Sequence, residues 1–124
     1  MNIVDSSGWI EYFTERQNAG FFAPPIQNTA RLLVPTICVY EVFKRLLVER
    51  NEDSALLAVG FMRHGQEVEL TRKIAINAAQ ISRELKLAMA DSIILATARL
   101  HNAVLWTQDD HFKDLDGVKY IGKK

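Results

Sequence analysis

A chain of 124 residues that is 48% hydrophobic is long enough to bury one core and too short for two ordinary domains, so we expect a single domain over residues 1–124. The 15 basic and 15 acidic side chains cancel, which excludes a global field that attracts a polyanion and restricts nucleic-acid binding to local patches. A lone cysteine, Cys38, and the lack of a long apolar run or a basic leader predict a cytoplasmic protein with no disulfide and no membrane partner.

The first quarter of the chain predicts a strand, a helix and a loop. Ile3 and Val4 form a β-branched strand before Asp5, and the polar residues that follow begin a helix. Residues 18–31 contain one glycine and two prolines, which predict a loop with room for a short helix. The aromatic residues of this quarter either belong to the core or expose a patch that a partner covers, and the sequence leaves both open: Trp9, Tyr12, Phe13, Phe21 and Phe22.

The middle of the chain predicts a strand at 32–34, ended by Pro35, and a helix that Thr36 caps. Apolar residues of that helix recur at helical spacing and predict one buried face: Val39, Val42, Phe43, Leu46 and Leu47. A further helix over Glu52–Met62 and a short strand at 67–70 follow, and Thr71 is placed to cap the next helix.

The last part predicts helices at 72–86 and 91–101, a strand at 104–106, a short helix after residue 109 and an edge strand at 118–121. The buried face of the first of these helices is expected to carry Ile74, Ala78, Ile81 and Leu85. Strands that alternate with helices predict an α/β fold with a mainly parallel sheet covered on both faces. The chain has no glycine-rich phosphate loop, which disfavours P-loop and Rossmann nucleotide binding.

Four acidic residues occupy positions from which they can meet. Asp5 and Asp109 follow predicted strands, Asp91 opens a helix and Glu41 lies about one turn into another. Strand ends of an open α/β sheet line one crevice, where crowded carboxylates must bind cations or take up protons. Ligands that are all oxygen suit Mg²⁺, with Mn²⁺ as a substitute, and not zinc. Such ions activate water and stabilise phosphodiester cleavage, which is nuclease chemistry.

Simpler interpretations stand beside this one. Asp5 and Asp91 are also good helix caps, and Glu41 is spaced to form ion pairs with Lys44 or Arg45. The three histidines, His64, His101 and His111, have no metal-ligand spacing and are expected to be surface or structural residues. The position of His111 near the acidic loop leaves contact with substrate as an alternative. Basic residues of the predicted helices are ordinary solvent-facing charges, and those that flank the crevice are candidates for holding RNA phosphates.

Taken together, four segments resemble, in order and spacing, the motif set of PIN domains. They are Val-Asp-Ser-Ser-Gly-Trp-Ile at 4–10, Val-Tyr-Glu-Val at 39–42, Ala-Asp-Ser-Ile-Ile-Leu-Ala-Thr-Ala at 90–98 and Thr-Gln-Asp-Asp-His-Phe at 107–112. The resemblance covers nearly the whole chain. It implies a three-layer α/β/α sandwich and a magnesium-dependent ribonuclease, similar to the VapC-type toxins of toxin–antitoxin pairs. It also implies an RNA substrate, a cognate antitoxin protein and a homodimer.

The same resemblance assigns residues. Asp5, Asp91 and Asp109 match the metal ligands, Glu41 matches the fourth catalytic acid, and Ser6 and Thr107 match supporting positions. The Thr-x-Asp-x-x-Phe spacing selects Asp109 over Asp110 for the metal site. Asp110 is then expected to cap the short helix that contains Phe112.

Two other functions remain open at this point. One is a PIN fold that binds RNA or protein without catalysis, although all four acids are present. The other is a phospho-accepting receiver-like domain, which normally has paired acids at the end of its first strand, whereas Asp5 is followed by Ser6. A metal-rescued cleavage assay separates catalysis from binding alone.

Overall fold

The central sheet has five strands, all parallel, in the computed structural model, which describes residues 1–124. In chain order they are β1 Asn2–Val4, β2 Leu32–Pro35, β3 Gln66–Val68, β4 Val104–Thr107 and β5 Val118–Tyr120. Their order across the sheet is β3-β2-β1-β4-β5. The predicted α/β class is confirmed, and the sheet is parallel throughout. The third strand begins and ends earlier than the predicted 67–70.

Six helices flank the sheet: α1 Ser6–Phe13, α2 Ala19–Gln27, α3 Thr36–Glu49, α4 Glu52–Met62, α5 Arg72–Leu85 and α6 Met89–Leu100. Short 3₁₀ turns lie at Thr29–Arg31 and Asp110–Phe112. The helices form two contacting groups, α1 to α4 and α5 with α6. The right-handed crossovers that parallel strands almost always use put these groups on opposite faces of a sheet with this strand order. The expected three-layer sandwich follows. None of these helices combines the length and hydropathy that a membrane span requires.

The core lies on both sides of the two central strands. Ile3 and Val4 of β1 and Leu33 and Val34 of β2 are buried consecutively, because helices cover both faces of the sheet and leave no solvent side. The buried apolar residues form one continuous cluster that extends from these strands to Phe112 near the end of the chain. Burial of this cluster is the main favourable term in folding.

The segment predicted as a loop with room for a short helix forms the nine-residue helix α2, so the short helix is present and occupies most of the segment. Pro24 and Pro25 lie inside the helix, where each removes one backbone hydrogen bond. The helix nevertheless buries Phe22, Pro25 and Ile26 against the sheet and α1. Tertiary burial of this face therefore outweighs the local preference of proline for a break.

The aromatic segment belongs to the core. Trp9 and Phe22 are 0% exposed, and the three other aromatic residues of the segment pack, half-buried, against the same cluster. Gly8 allows this packing, because a Cβ at that position would lie 2.5 Å from Cε1 of Phe22. The alternative of an exposed patch over Trp9 and Phe22 is excluded.

Three residues of the helices differ from expectation, and one predicted helix cap is confirmed. The N-cap of α3 is Pro35, and Thr36 is the first helical residue, so the predicted cap is wrong by one position. Leu47, expected on a buried face, is exposed because Cys38, Val42 and Leu46 form the buried line of α3. Leu85, also expected to be buried, is exposed at the last position of α5, whose buried line ends at Ile81. The predicted cap of α5 is confirmed, since Thr71 Oγ1 accepts a hydrogen bond from the backbone N of Ile74 at 3.2 Å.

Candidate functional site

A groove of about 380 Å³ opens beside the carboxyl ends of β1 and β4. The chain leaves β1 toward β2 on one side and returns from β3 to β4 on the other, and this reversal leaves a crevice at the C-terminal edge of the sheet. The four acids predicted from the sequence all line this groove: Asp5, Glu41, Asp91 and Asp109. They come from four different parts of the chain, so only the fold brings them together. We call this space the acidic groove.

Asp5 is buried at the end of β1, held by groups from two parts of the chain. Its Oδ2 accepts hydrogen bonds from Ser7 Oγ at 2.8 Å and Thr107 Oγ1 at 3.0 Å, and its backbone N donates to the Trp106 carbonyl at 2.9 Å. Asp5 occupies the N-cap position of α1 but makes no side-chain cap hydrogen bond. The interpretation of Asp5 as a simple cap is therefore wrong.

The pKa of Asp5 is raised from 3.8 to about 6, mainly by burial and also by the nearby carboxylates of Asp91 and Asp109, while the Ser7 and Thr107 hydroxyls oppose the shift. Ionisation of Asp5 is therefore less favourable in the folded protein than in the unfolded chain. A cation beside it would reverse this balance, because an opposite charge favours the ionised carboxyl.

Asp91 lies in the first turn of α6, whose N-cap is Ala88 and not Asp91. The helix begins two residues earlier than predicted, so the interpretation of Asp91 as a cap is also wrong. Burial raises the pKa of Asp91 from 3.8 to about 6, Asp109 and Glu41 add to the rise, and His111 opposes it. The N-terminus of α6 favours negative charge near Asp91.

Glu41 faces the groove from the second turn of α3. Its Oε1 accepts a hydrogen bond from Ser6 Oγ at 2.6 Å. The ion pairs that sequence spacing suggested do not form, because Arg45 pairs with Glu49 at 2.8 Å instead. This contact places Ser6 beside one of the four acids.

Asp109 follows β4 in a loop that hydrogen bonds to Thr107 and His111 hold in place. Its backbone N donates to Thr107 Oγ1 at 2.9 Å, and its Oδ1 accepts from the backbone N of His111 at 3.0 Å, which makes Asp109 the N-cap of the 3₁₀ turn Asp110–Phe112. The prediction that Asp110 caps this turn was wrong. The turn begins at Asp110 itself, so the capping position belongs to the preceding residue.

Because Asp110 is exposed and caps nothing, Asp110→Ala is expected to change the free energy of unfolding by less than ~0.5 kcal/mol. Asp109→Ala removes the cap hydrogen bond and is expected to lower the stability of the turn. Chemical denaturation of both variants at acidic pH, where repulsion in the groove is weakest, measures the difference. Equal losses would contradict the capping geometry.

His111 is at the surface and near the acidic loop, as the sequence predicted, and it contacts two of the acids. Its Nδ1 lies 3.0 Å from Asp109 Oδ1 and 3.8 Å from Asp91 Oδ2, although its side chain is 68% exposed. One ligand atom from each of Asp91, Asp109 and His111 lies within 4.8 Å of the others. The signal in the sequence was its position two residues after Asp109. The other two histidines are exposed, as expected.

The donor set of the groove fits a hard divalent cation. Four carboxylates face one space, and the pKa values of Asp5 and Asp91 are both raised there. A divalent ion relieves this cost, and carboxylate oxygen is the ligand type that Mg²⁺ and Mn²⁺ accept. The fold brings together every residue assigned from the sequence. Their roles stay predictions: metal ligands for Asp5, Asp91 and Asp109, a catalytic acid for Glu41, and supporting positions for Ser6 and Thr107.

One wall of the acidic groove consists of residues from the solvent-facing side of α3. Tyr40 is 59% exposed and Val48 is 79% exposed, and the basic side chains of Lys44 and Arg45 lie between them along the helix. Lys44 Nζ lies 5.8 Å from the centroid of the Tyr40 ring. The groove therefore combines an acidic floor with an aromatic and basic wall, and the sequence analysis had not singled out Tyr40.

Comparison with known proteins agrees with this geometry. The family model that matches residues 3–118 is that of the PIN domain, and no curated protein sequence matches the chain. The sheet order also differs from the 2-1-3-4-5 order of flavodoxin-like folds such as receivers, which removes the receiver-like alternative.

Several solved structures share the fold. A toxin–antitoxin complex from Klebsiella pneumoniae is 24% identical, with 96% of each chain covered and a TM-score of 0.77. DNA-bound VapBC from Salmonella typhimurium is 19% identical over 98% of each chain, with a TM-score of 0.75. VapC20 of Mycobacterium tuberculosis, a sarcin-ricin loop cleaving toxin, is 13% identical over 90% of this chain and 92% of its own, with a TM-score of 0.77.

Proposed function

The chain belongs to the PIN-domain family, and from that premise we propose that it is a magnesium-dependent ribonuclease, the toxin of a VapC-type toxin–antitoxin pair. The observation that carries the proposal is the convergence of four carboxylates from separate elements on one open groove of about 380 Å³. An enclosed acidic cluster would be unable to admit a phosphodiester, whereas this groove is open to solvent along the wall of α3.

In this proposal Asp5, Asp91 and Asp109 hold the divalent cation. When bound, Mg²⁺ supplies activation of water and neutralisation of the charge that develops on the phosphodiester. The hydroxyls of Ser7 and Thr107 fix one oxygen of Asp5 and leave the other toward the groove. Thr107 also holds the backbone of Asp109, so one threonine side chain sets the spacing between two of the acids.

Glu41 acts on the water molecule that attacks phosphorus. Ser6 holds Oε1 of Glu41 at 2.6 Å, which orients the carboxylate and leaves Oε2 to accept a hydrogen bond from that water. Ser6 directly follows Asp5 where β1 leads into α1, so the group that orients Glu41 and a proposed metal ligand are adjacent in the chain.

Purified protein without a bound partner is expected to cleave single-stranded RNA in Mg²⁺ or Mn²⁺ and to stop in excess EDTA, because the cation supplies most of the charge stabilisation. Gel analysis of labelled RNA with and without chelator measures this. Equal cleavage in EDTA would contradict the metal mechanism. RNA binding without cleavage in either metal would favour a PIN fold that only binds.

The partner proposed for this toxin is a small antitoxin protein, as in the complexes whose fold it shares. Its inhibitory segment would present a basic side chain to the acids and apolar side chains to Tyr40 and Val48 on the wall of α3. We expect native purification to retain this protein and Val48→Asp to weaken its retention. Absence of any small partner, with harmless expression of the chain alone, would overturn the toxin assignment.

Sedimentation of the purified chain measures the homodimer that the family resemblance implies.

A further inference from the structure

A second groove, of about 410 Å³, continues from the acidic groove and has the opposite charge. Ser7, Ile10 and Arg45 line both grooves, so the two form one continuous channel on the surface. One carboxylate, Glu11, lines the second groove, but four cationic side chains outnumber it: Arg16, Arg45, Lys123 and Lys124. Ile10 is the only apolar residue that lines it. We call it the basic groove.

Glu49 holds the two arginines of the basic groove in place. Arg16 Nη2 lies 3.1 Å from Glu49 Oε2, and Arg45 Nε lies 2.8 Å from Glu49 Oε1. Each guanidinium uses one nitrogen for this contact and keeps other N–H donors for a ligand. Exposed ion pairs of this kind add little to stability, but here they arrange two forked donors before any ligand arrives.

A buried polar network forms the floor of the basic groove and connects it to the acids. Asn18 Nδ2 donates to Gln108 Oε1 at 2.9 Å and to the Gly122 carbonyl at 3.1 Å. Both the side chain of Gln108 and the backbone N of Asn18 donate to the carboxylate of Glu11, at 3.3 and 2.9 Å. Gln108 precedes Asp109, and Gly122 precedes Lys123. The network therefore anchors the backbone at Gly122, next to Lys123, beside the strand that leads to Asp109.

We propose that the basic groove binds backbone phosphates of the RNA strand next to the phosphodiester held at the acidic groove. The proposal rests on the ribonuclease function above and adds the path of the substrate. An RNA strand that places one phosphate at the acids can continue along the channel into the basic groove. There the positive side chains face the negative charges of the next phosphates. An acidic peptide fits less well, because the lining offers no apolar pockets for its side chains.

The test is the double variant Arg16→Gln with Lys123→Gln. Fluorescence anisotropy of labelled oligouridine in EDTA measures binding without cleavage. We expect affinity to fall about tenfold and the slope of log K against log salt to shrink by ~1.4, since each single-strand phosphate contact contributes ~0.7. The matched control, Arg72→Gln with Lys73→Gln at the start of α5, removes the same charge away from both grooves and is expected to keep affinity and slope.

Cleavage kinetics give a second readout. In Mg²⁺ the groove variant is expected to raise KM for oligouridine about tenfold with kcat nearly unchanged, and to cleave a dinucleotide as the unsubstituted protein does. Arg16→Lys with Lys123→Arg keeps the charge and should restore binding. Unchanged affinity and slope in the groove variant would overturn the proposal. A groove variant that still binds oligouridine normally but no longer binds an acidic protein partner would also overturn it. Absence of cleavage by the unsubstituted protein would instead overturn the ribonuclease function, whatever the binding result.

Discussion

Replacing Asp91 with asparagine is expected to lower RNA cleavage by at least ~10³-fold, while the protein stays folded. The carboxylate faces the acidic groove together with Asp109 and Glu41, and its pKa is raised to about 6 by burial and by these neighbours. Loss of one proposed ligand weakens metal binding, and a metal ion supplies several kcal/mol of transition-state stabilisation, where each ~1.4 kcal/mol is a factor of ten in rate. The fold tolerates the change because Asp91 caps no helix.

Single-turnover cleavage across a Mg²⁺ titration, with a thermal melt of each protein, measures this effect. Asp110→Asn is the matched control, because Asp110 is exposed, carries the same charge and lies next to a proposed ligand. Asp109→Asn is expected to lose cleavage as Asp91→Asn does. An active Asp91→Asn variant would remove Asp91 from the site. An inactive Asp110→Asn variant would mean that the motif register at this end of the chain is wrong by one residue.

Replacing Asp5 with asparagine is expected to stabilise the metal-free protein near neutral pH by about 2 kcal/mol. Burial raises the pKa of Asp5 from 3.8 to about 6, and a shift of about two units corresponds to ~3 kcal/mol of unfavourable ionisation. Asparagine carries no charge but is a weaker acceptor for the Ser7 and Thr107 hydroxyls, which offsets ~1 kcal/mol. The same substitution is expected to abolish cleavage.

The pH dependence gives the sign of this effect. Between the unfolded pKa near 4 and the folded pKa near 6, the native state binds more protons than the unfolded state, so the stability of the unsubstituted protein falls as pH rises through this window. The Asp5→Asn variant lacks this contribution, so its advantage is absent below about pH 4 and complete above about pH 6. Urea denaturation in EDTA across this range measures it. A variant that is less stable at every pH would restore a structural role for Asp5.

Saturating Mg²⁺ is expected to reverse the order of stability. An ion that binds only the folded protein adds ~2.7 kcal/mol to the free energy of unfolding at 100 times its Kd. The Asp5→Asn variant has lost a proposed ligand and should gain less. Repeating the denaturation with Mg²⁺ and with the Asp110→Asn control separates metal binding from a general salt effect. An equal gain in all three proteins would contradict a specific site.

The sequence by itself determined the elements with strong periodicity and the places where strands end. The alternation of β-branched strands with amphipathic helices predicted the parallel α/β sheet, and Thr71 was a correct cap because capping depends on neighbours three residues away. Asp5 and Asp109 were assignable to one edge because parallel strands all point the same way. Motif order then selected Glu41 and Asp91, whose local patterns favoured other roles.

Only the tertiary structure decided the features that depend on residues far apart in the chain. The helix α2 forms against its own prolines because the core buries Phe22 and Ile26. Ser6 reaches Glu41 across 35 positions, and Asn18 reaches Gln108 across 90, so neither contact has a signature in a local window. The continuation of the acidic groove into a basic one likewise depends on how the end of the chain docks beside α1. Local propensities act over a few residues, whereas burial and charge act through space, and only the folded chain brings these groups within reach of each other.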